Sequence, residues 1–321
     1  MKKVSLSEVK YKKKMLNFEY KSHNTITIGI VTEPSSYKKS PCSSFMDIDL
    51  ISWIGDNINV IPIQFDIQTE YLVFLMNQIN GIILPGGGIE NKKWHNKEQL
   101  SKYLKTLKDI VDFSEHSSKN GNSLPVLGIC QGFEQLLINI LNIDKEEKEK
   151  EIRDQKILDK TPAEGVYPIF LTKFGEKLFK KYSLKYPNRY ELNPSGIFHK
   201  NLGFIYDSLT YIKVEKKINP ILLSLDDNNN YNLAMIEYKG SDILGVGFHP
   251  EKIYKKNILK GKIPKSVIDL SRDIRFIFLS KCKKNKNRWK SFLPIKDFLI
   301  ENYDLYKLNK SEFYDYKFVI N

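Results

Sequence analysis

The sequence contains few cysteines: Cys42, Cys130 and Cys282 are the three in 321 residues. Their number is odd, they are far apart, and no Cys-x-x-Cys pair occurs, so the sequence predicts neither a disulfide framework nor a thiolate zinc site. We expect all three to be reduced thiols. Cys42 lies near a predicted turn and Cys282 near the lysine-rich end of a predicted helix, and we interpret both as incidental.

The sequence also lacks long apolar runs. No segment approaches the roughly 18 consecutive apolar residues of a membrane-spanning helix, and the basic start has no apolar stretch of the signal-peptide kind. We therefore expect a soluble, folded protein with the cytoplasm as its default location. The composition, 41% apolar and 28% charged, is typical of globular proteins. We expect a basic extension over residues 1–22 and a single domain over residues 23–321.

Acidic residues are outnumbered by basic ones, 38 to 51, which gives a formal net charge of +13. Such a balance can indicate a nucleic-acid partner. Basic clusters lie at residues 10–14, 255–262 and 281–290, but no zinc finger, RNP-like strand or helix-turn-helix signature accompanies them. We interpret these clusters as solvated faces and expect neither a nucleic-acid nor a membrane partner. A basic surface can still raise the encounter rate with a polyanionic substrate.

The first half of the sequence alternates apolar strands with helices. The predicted strands are TITIGIV (25–31), NVIPI (59–63), GIILPGGG (81–88) and PVLGI (125–129), and the helices are 45–54, 72–79 and 100–111. Strands that are apolar throughout and separated by helices pair in parallel and are covered on both faces. The sequence therefore predicts an α/β fold: a three-layer, doubly wound, mostly parallel sheet with helices on both faces.

The second half predicts an antiparallel extension of that sheet. Residues 141–165 are polar and indicate a loop or a surface helix, whereas residues 221–248 contain three strand-like segments separated by turn residues. Apolar residues from Val267 to Phe278 recur at helical spacing, with Pro264 near the start of the helix. The tail FYDYKFVI (313–320) is expected to form a final edge strand or to lie over the body of the protein.

The segment Gly128-Ile129-Cys130-Gln131-Gly132 has the G-x-nucleophile-x-G form of a nucleophile elbow. It lies between a predicted strand and a predicted helix, as that motif requires. A thiol there would sit at a helix N-terminus, which favours the thiolate. The alternative is that Cys130 is a small core residue, as most cysteines are.

A thiolate nucleophile also needs a base, and His249 in Phe248-His249-Pro250-Glu251 follows a predicted strand. If the elbow faces this loop, His249 can exchange a proton with the thiol while Glu251 orients its ring. The glycines that follow Pro85 can direct N–H groups at an oxyanion, although an ordinary loop is the commoner meaning of such a run.

Together, a strand ending in Pro-Gly-Gly, the elbow and the late His-Pro-Glu resemble class I glutamine amidotransferase-like domains, which have a flavodoxin-like fold. Within that group, GICQGFE and HPEK are most similar to gamma-glutamyl hydrolases, the cysteine peptidases that trim folylpolyglutamate. Amidotransferases usually have Gln at the position of Glu134. The separation of Cys130 and His249 is also similar to that in the hydrolases.

The resemblance assigns a role to each matching residue. It implies Cys130 as nucleophile, His249 as general base and acid, and Glu251 as third member of the triad. It implies the N–H groups of Gly87 and Gln131 as oxyanion donors. The expected reaction is hydrolysis of a γ-glutamyl amide through a thioester, with no metal or organic cofactor.

On the substrate side, the resemblance implies Glu134 and His199 as contacts to a small poly-γ-glutamyl molecule. The alternative for His199 is a surface histidine near a turn. Family members are often dimers, so a homodimer is possible, and they are often vacuolar, lysosomal or secreted. Two other functions stay open: a glutaminase that supplies ammonia to a synthase, and an inactive basic protein that binds nucleic acid.

The sequence departs from the family in three places. A Ser-Tyr-Val-Lys stretch is replaced around Asp49–Ser52, the usual Thr-Gln-Pro is Thr32-Glu33-Pro34, and a Glu-Trp pair is missing from Ile253–Lys262. We expect these changes to alter the accepted substrate rather than the chemistry.

Overall fold

The computed structural model describes residues 25–34, 44–87, 97–141, 158–160, 165–182, 184, 195–198, 202–204, 216–225, 231–254, 264–290, 294–303, 305–310 and 313–320. The predicted extension, residues 1–22, lies outside the described residues, as do Cys42 and His199. The single domain over 23–321 remains a prediction.

Strands and helices alternate along the first half of the described chain. The described strands are β1 (Thr27–Val31), β2 (Glu33–Pro34), β3 (Ser44–Asp47), β4 (Asn59–Ile63), β5 (Gly81–Leu84), β6 (Val126–Ile129), β7 (Leu158–Lys160), β8 (Gly165–Leu171), β9 (Ser195–Phe198), β10 (Leu202–Phe204), β11 (Ile218–Leu225), β12 (Tyr231–Tyr238), β13 (Ile243–Val246), β14 (Leu305–Lys310) and β15 (Phe313–Ile320). The described α-helices are α1 (Ile48–Ile54), α2 (Thr69–Met76), α3 (Lys97–Lys119), α4 (Gln131–Ile140), α5 (Lys173–Lys181) and α6 (Lys265–Lys284). Short 3-10 turns cover Pro250–Tyr254, Ile295–Phe298 and Ile300–Asn302.

Nine of the described strands form one sheet, in the order β4-β1-β5-β6-β13-β12-β11-β8-β9. The first five in this order pair in parallel. The other four extend the sheet with antiparallel pairs. The predicted α/β sheet with an antiparallel extension is therefore confirmed, and the carboxyl ends of β1, β5, β6 and β13 lie along one edge.

Helices cover both faces of this sheet. On one face, apolar residues of α1, α5 and α6 pack against the strands, with Trp53, Phe179 and Phe278 as the largest side chains. On the other face, α2, α3 and α4 contribute a second cluster around Leu72, Tyr103 and other buried side chains. Burying each large side chain contributes about 1.5–3 kcal/mol, so these two layers fix the sheet and the loops that leave it.

A second described sheet, in the order β14-β15-β3-β2, corrects two predictions. The tail strand β15 pairs with β14 on one side and β3 on the other, so it is an inner strand and not an edge strand. The predicted helix over 45–54 begins only at Ile48, because residues 44–47 pair with β15 and Asp47 caps the helix by accepting a hydrogen bond from the Asp49 N–H at 3.1 Å.

Residues 158–160 also differ from expectation, since they form β7, paired with β10, in place of a loop or surface helix. Among the helices that the structure describes, none combines the length and apolarity needed to cross a membrane.

Candidate active site

Cys130 lies at the sharp bend between β6 and α4. Its φ is 52° and its ψ is −109°, and it is the one non-glycine residue with positive φ in the described part of the chain. The Cys130 N–H donates to the Val246 carbonyl at 2.8 Å, and the Gly132 N–H donates to the Pro85 carbonyl at 3.1 Å. These bonds tie the bend to the ends of β13 and β5, so the thiol has a fixed position.

Close packing explains the glycines of the elbow. A Cβ at Gly132 would lie 2.2 Å from the carbonyl oxygen of Leu84, and a Cβ at Gly128 would lie 2.7 Å from the carbonyl oxygen of Gly132. Both contacts are with backbone atoms, which cannot rotate away. Both glycines are thus required for α4 to begin immediately after β6 while packing against the end of β5.

His249 is brought to Cys130 by the pairing of β13 with β6, in which Val246 lies opposite Ile129. The carboxyl ends of adjacent parallel strands meet at one edge, so the loops after them are neighbours. The two side chains interact electrostatically, since the charge of Cys130 acts on the imidazole of His249. Gly86 makes this approach possible, because a Cβ there would lie 2.6 Å from Cε1 of His249 and 3.1 Å from Cβ of Cys130.

Glu251 completes a row of three side chains. Its Oε1 lies 2.6 Å from Nδ1 of His249, and both side chains are buried, with exposed fractions of 4% and 6%. Burial alone lowers the pKa of His249, but the negative charges of Cys130 and Glu251 outweigh burial and raise it to about 9. Burial raises the pKa of Glu251, but His249 outweighs it and the net direction is down. The site therefore favours a charged imidazole between two anions.

The turn that carries His249 and Glu251 is fastened to two helices. Ser271 of α6 donates to the Pro250 carbonyl at 2.6 Å and accepts from Nε1 of Trp53 in α1 at 2.9 Å. Ser271 and Trp53 are each 1% exposed. This buried chain of hydrogen bonds fixes the peptide between the two triad residues, and nothing in the sequence motif indicated Ser271.

Gly87 and Gln131 lie side by side next to the thiol. A Cβ at Gly87 would be 2.7 Å from Oε1 of Gln131. Gln131 is the first residue of α4, and N–H groups of a first helical turn point outward, where they can donate to an anion. The structure thus places the two predicted oxyanion residues together, beside Cys130.

The acidic side chain of Glu33 also lies beside Gly87. From the sequence, Glu33 stood out only as a departure from the family pattern, and not as a site residue. A Cβ at Gly87 would be 2.6 Å from Oε2 of Glu33, as close as it would be to Gln131. Glu33 follows β1, which pairs with β5, so strand order alone places it near the loop after β5. That strand order is the signal that could have found it.

The remaining predicted residues differ in their outcome. Glu134 lies one helical turn after the elbow, with its N–H donating to the Cys130 carbonyl at 3.0 Å, and it is 8% exposed. His199 lies outside the described residues. Among the described residues, no group of three or more His, Cys, Asp or Glu side chains is arranged to hold a metal ion.

Comparison with known proteins identifies relatives of one kind. The sequence model of the peptidase C26 family matches residues 30–154. Gamma-glutamyl hydrolase B of Dictyostelium discoideum is 25% identical over 239 residues, which is 72% of this chain and 63% of that protein. Gamma-glutamyl hydrolase of Homo sapiens is 25% identical over 240 residues, 72% of this chain and 69% of that protein. The chain thus spans just under two thirds of the Dictyostelium protein.

A solved structure agrees on the fold. The glutaminase domain of Trypanosoma brucei CTPS, with bound acivicin, superposes with a TM-score of 0.52 at 13% identity, covering 83% of this chain and 96% of that domain. The fold is therefore that of the glutaminase domains, as the sequence resemblance implied. In its family match and its relatives, the chain is thus similar to the gamma-glutamyl hydrolases and to the peptidase C26 family.

Proposed function

We propose that this protein hydrolyses γ-glutamyl amide bonds, with Cys130 as nucleophile, His249 as general base and acid, and Glu251 as the residue that orients His249. The observation that carries the proposal is the buried row in which His249 lies beside Cys130, both close to the same point at Gly86, and hydrogen-bonds through Nδ1 to Glu251. Similarity to the peptidase C26 family and to gamma-glutamyl hydrolases supports the choice of bond.

In the first half of the reaction, His249 already holds the proton of Cys130 as a charged imidazolium, and the Cys130 sulfur attacks the γ-carbonyl carbon as a thiolate. The π bond of that carbonyl becomes an oxyanion, which the N–H groups of Gly87 and Gln131 stabilise. Each such donor typically lowers the activation barrier by about 3–4 kcal/mol. His249 then gives its proton to the amide nitrogen, the C–N bond breaks, and the amine leaves a thioester on Cys130.

In the second half, water replaces the amine. His249 removes a proton from the water as the oxygen attacks the thioester carbonyl, and the same N–H groups stabilise the second oxyanion. The C–S bond breaks, the sulfur leaves as a thiolate beside the protonated His249, and the γ-carboxylic acid is released. Glu251 stays hydrogen-bonded to Nδ1 of His249 throughout, so the other ring nitrogen, Nε2, carries out the proton transfers of both halves. The proposed reaction uses no metal or organic cofactor.

We extend the proposal to the substrate: folylpoly-γ-glutamate or a related poly-γ-glutamyl chain. Support comes from the names of the relatives and from Glu134, a carboxylate where the amidotransferase pattern has Gln. The proposal includes a contact between the glutamyl substrate and this buried acid, which lies one turn from the nucleophile.

The test is mass spectrometry of the purified protein after treatment with a γ-glutamyl electrophile, together with an assay of glutamate release from poly-γ-glutamyl peptides. We expect a single adduct on Cys130, and loss of both adduct and release in Cys130→Ala. Release that persists in Cys130→Ala would refute the proposed nucleophile. Glutamine turnover without peptide cleavage would favour a glutaminase, and salt-sensitive nucleic-acid binding without thiol reactivity would favour an inactive binding protein.

A further inference from the structure

Two aromatic side chains lie exposed on the antiparallel extension of the sheet. Phe170 of β8 is 36% exposed and Tyr231 of β12 is 49% exposed. Their ring centroids are 6.2 Å apart with an interplanar angle of 80°, so the rings meet edge to face and form an open corner. Among the ring pairs that the described residues form, this is the one in which both rings are exposed.

This aromatic corner, Phe170 and Tyr231, continues the face of the sheet that α4 covers. Leu223 of β11 lies opposite Phe170 on one side and Leu233 on the other. Tyr231 is two residues from Leu233 on the same strand, so these side chains share one face. Leu233 belongs to the same apolar cluster as Phe133 in the first turn of α4. The corner therefore adjoins the helix that starts at the nucleophile.

The strand register places the corner near the thiol. Gly247, which lies level with Cys130 on the neighbouring strand, donates its N–H to the Ala234 carbonyl at 2.9 Å. Because β12 runs antiparallel to β13, Tyr231 lies three residues beyond Ala234 toward the edge that carries the site. Strand β12 is two strands from β6. With about 4.8 Å between strands and about 3.4 Å per residue, the backbones of Tyr231 and Cys130 are about 14 Å apart.

We propose that Phe170 and Tyr231 form a subsite for the aromatic acyl group of an N-acylated γ-glutamyl substrate, such as the pteroyl group of a folate. This inference rests on the proposed γ-glutamyl hydrolysis and narrows its substrate from poly-γ-glutamyl chains in general to chains that carry an aromatic head. In such a chain the first ring begins about 7 Å from the attacked γ-carbonyl carbon and the pterin begins about 13 Å from it. The head group is therefore long enough to reach the corner while the carbonyl is at Cys130.

The shape of the corner suits a flat, conjugated group. Such a group stacks on the face of one ring and presents its edge to the other, and its binding removes apolar surface of both rings from water. An acetyl group offers no aromatic face and is too short to reach the corner. The corner therefore adds binding energy for a substrate with an aromatic head and none for one without it.

The experiment compares two substrates that differ only in the acyl group on the first α-nitrogen: pteroyl-di-γ-glutamate and N-acetyl-di-γ-glutamate. Each contains a single γ-glutamyl bond, so glutamate release reports cleavage at the same position. For the unmodified chain we expect kcat/KM to favour the pteroyl substrate by about tenfold or more, the size expected for stacking of one flat group. In Tyr231→Ala and in Phe170→Ala this ratio should fall severalfold, whereas Tyr231→Phe, which keeps the ring, should keep it.

The matched control is Phe276→Ala, which removes an equally exposed ring from a T-shaped pair with Tyr182, on a helix of the opposite face. We expect it to leave the ratio unchanged. Tyr231→Thr, a residue suited to strands, serves if Tyr231→Ala fails to fold. An unchanged ratio in folded Tyr231 and Phe170 variants, or equal cleavage of both substrates by the unmodified chain, overturns this inference alone. Absence of cleavage of both substrates and of a Cys130 adduct in the unmodified chain would instead refute the proposed function.

Discussion

The backbone of Cys130 is held in a conformation that L-residues rarely adopt, with φ of 52° and ψ of −109°. Residues in such regions typically store about 1–3 kcal/mol of strain, which the surrounding structure must impose. Here the hydrogen bonds from Cys130 to Val246 and from Gly132 to Pro85 impose it. The strain serves to present the thiol at the start of α4, beside His249.

Replacing Cys130 with glycine should therefore stabilise the fold relative to replacing it with alanine. Both variants lack the thiol, but glycine relieves the positive φ and loses only about 0.5–1 kcal/mol through its more flexible unfolded chain. We expect Cys130→Gly to exceed Cys130→Ala by about 1 kcal/mol in free energy of unfolding. Urea denaturation measures the difference, and equal stabilities would show that the bend is unstrained.

The raised pKa of His249 predicts the alkaline side of the pH profile. The imidazole must carry a proton to deliver it to the leaving amine, and its pKa is raised to about 9. The charged form is thus present at lower pH and is lost as the pH rises through about 9, so kcat/KM should decline there. Glu251→Gln removes one of the charges that raise this pKa, so its decline should begin at lower pH.

The pH dependence of kcat/KM measured with one activated substrate checks this prediction. The charge-matched control is Glu70→Gln, which removes one negative charge from an exposed position in the first turn of α2. If the alkaline decline stays in place in Glu251→Gln while activity merely drops, Glu251 acts through position alone and not through its charge.

The sequence predicted the residues of this site where a motif carries them and missed those that depend on distant contacts. Cys130, His249 and Glu251 each stand in a short motif next to an apolar strand. Ser271 contacts the turn of His249 and Glu251 from a helix further along the chain, and Glu33, which follows β1, lies near Gly87 and Gln131. Neither contact has a local signature, because strand order and helix packing create it.

Helix α6 takes part in the site through Ser271, which contacts the turn that carries His249 and Glu251. Ser271 donates to the Pro250 carbonyl and accepts from Trp53 of α1, so two helices of one face hold the peptide between His249 and Glu251. Positioning of this kind matters because small displacements of catalytic groups lower rates strongly.

Ser271→Ala should therefore lower kcat by about tenfold or more with little change in KM. It should also reduce the free energy of unfolding by about 1–3 kcal/mol, since a buried N–H and a buried carbonyl each lose a partner. The control is Ser114→Ala on α3. It deletes a buried hydroxyl that donates to the Leu124 carbonyl at 2.6 Å. It should lose similar stability and keep its kcat. Equal kcat in both variants would show that Ser271 is only structural.

Among the elements, the parallel strands were predictable because they are buried on both faces and hence apolar throughout. Strands β3 and β15 were not, since each is specified by its partner at the opposite end of the chain. Residues 44–47 have apolar spacing compatible with a helix, and only the pairing with β15 and the cap at Asp47 stop the helix at Ile48.

In the whole molecule, two apolar layers pack on the two faces of one sheet. The site lies at the carboxyl ends of the parallel strands of that sheet. Cys130 belongs to one layer and the first turn of α4 to the other, so the elbow joins them. This arrangement gives the thiol a rigid support, while the loops beyond the strand ends are left to determine the substrate.

The net charge of +13 makes a further prediction about how that substrate arrives. A poly-γ-glutamyl chain carries a carboxylate on every residue, so a basic protein attracts it over distances comparable to the Debye length, about 30 Å at 0.01 M salt and about 3 Å at 1 M. Steering of this kind raises association rates by about tenfold or more and disappears with salt. We expect kcat/KM for a poly-γ-glutamyl peptide to fall by about that factor across this range.

The control is γ-glutamyl-7-amido-4-methylcoumarin, a substrate with a single γ-glutamyl residue, because its small charge leaves little for the basic surface to attract. Its kcat/KM should change far less over the same salt series. A parallel decline for both substrates would mean that salt acts on the site and not on the encounter. An oligonucleotide that inhibits the peptide reaction at low salt and not at high salt would show that the same basic surface attracts polyanions in general, without nucleic acid being the substrate.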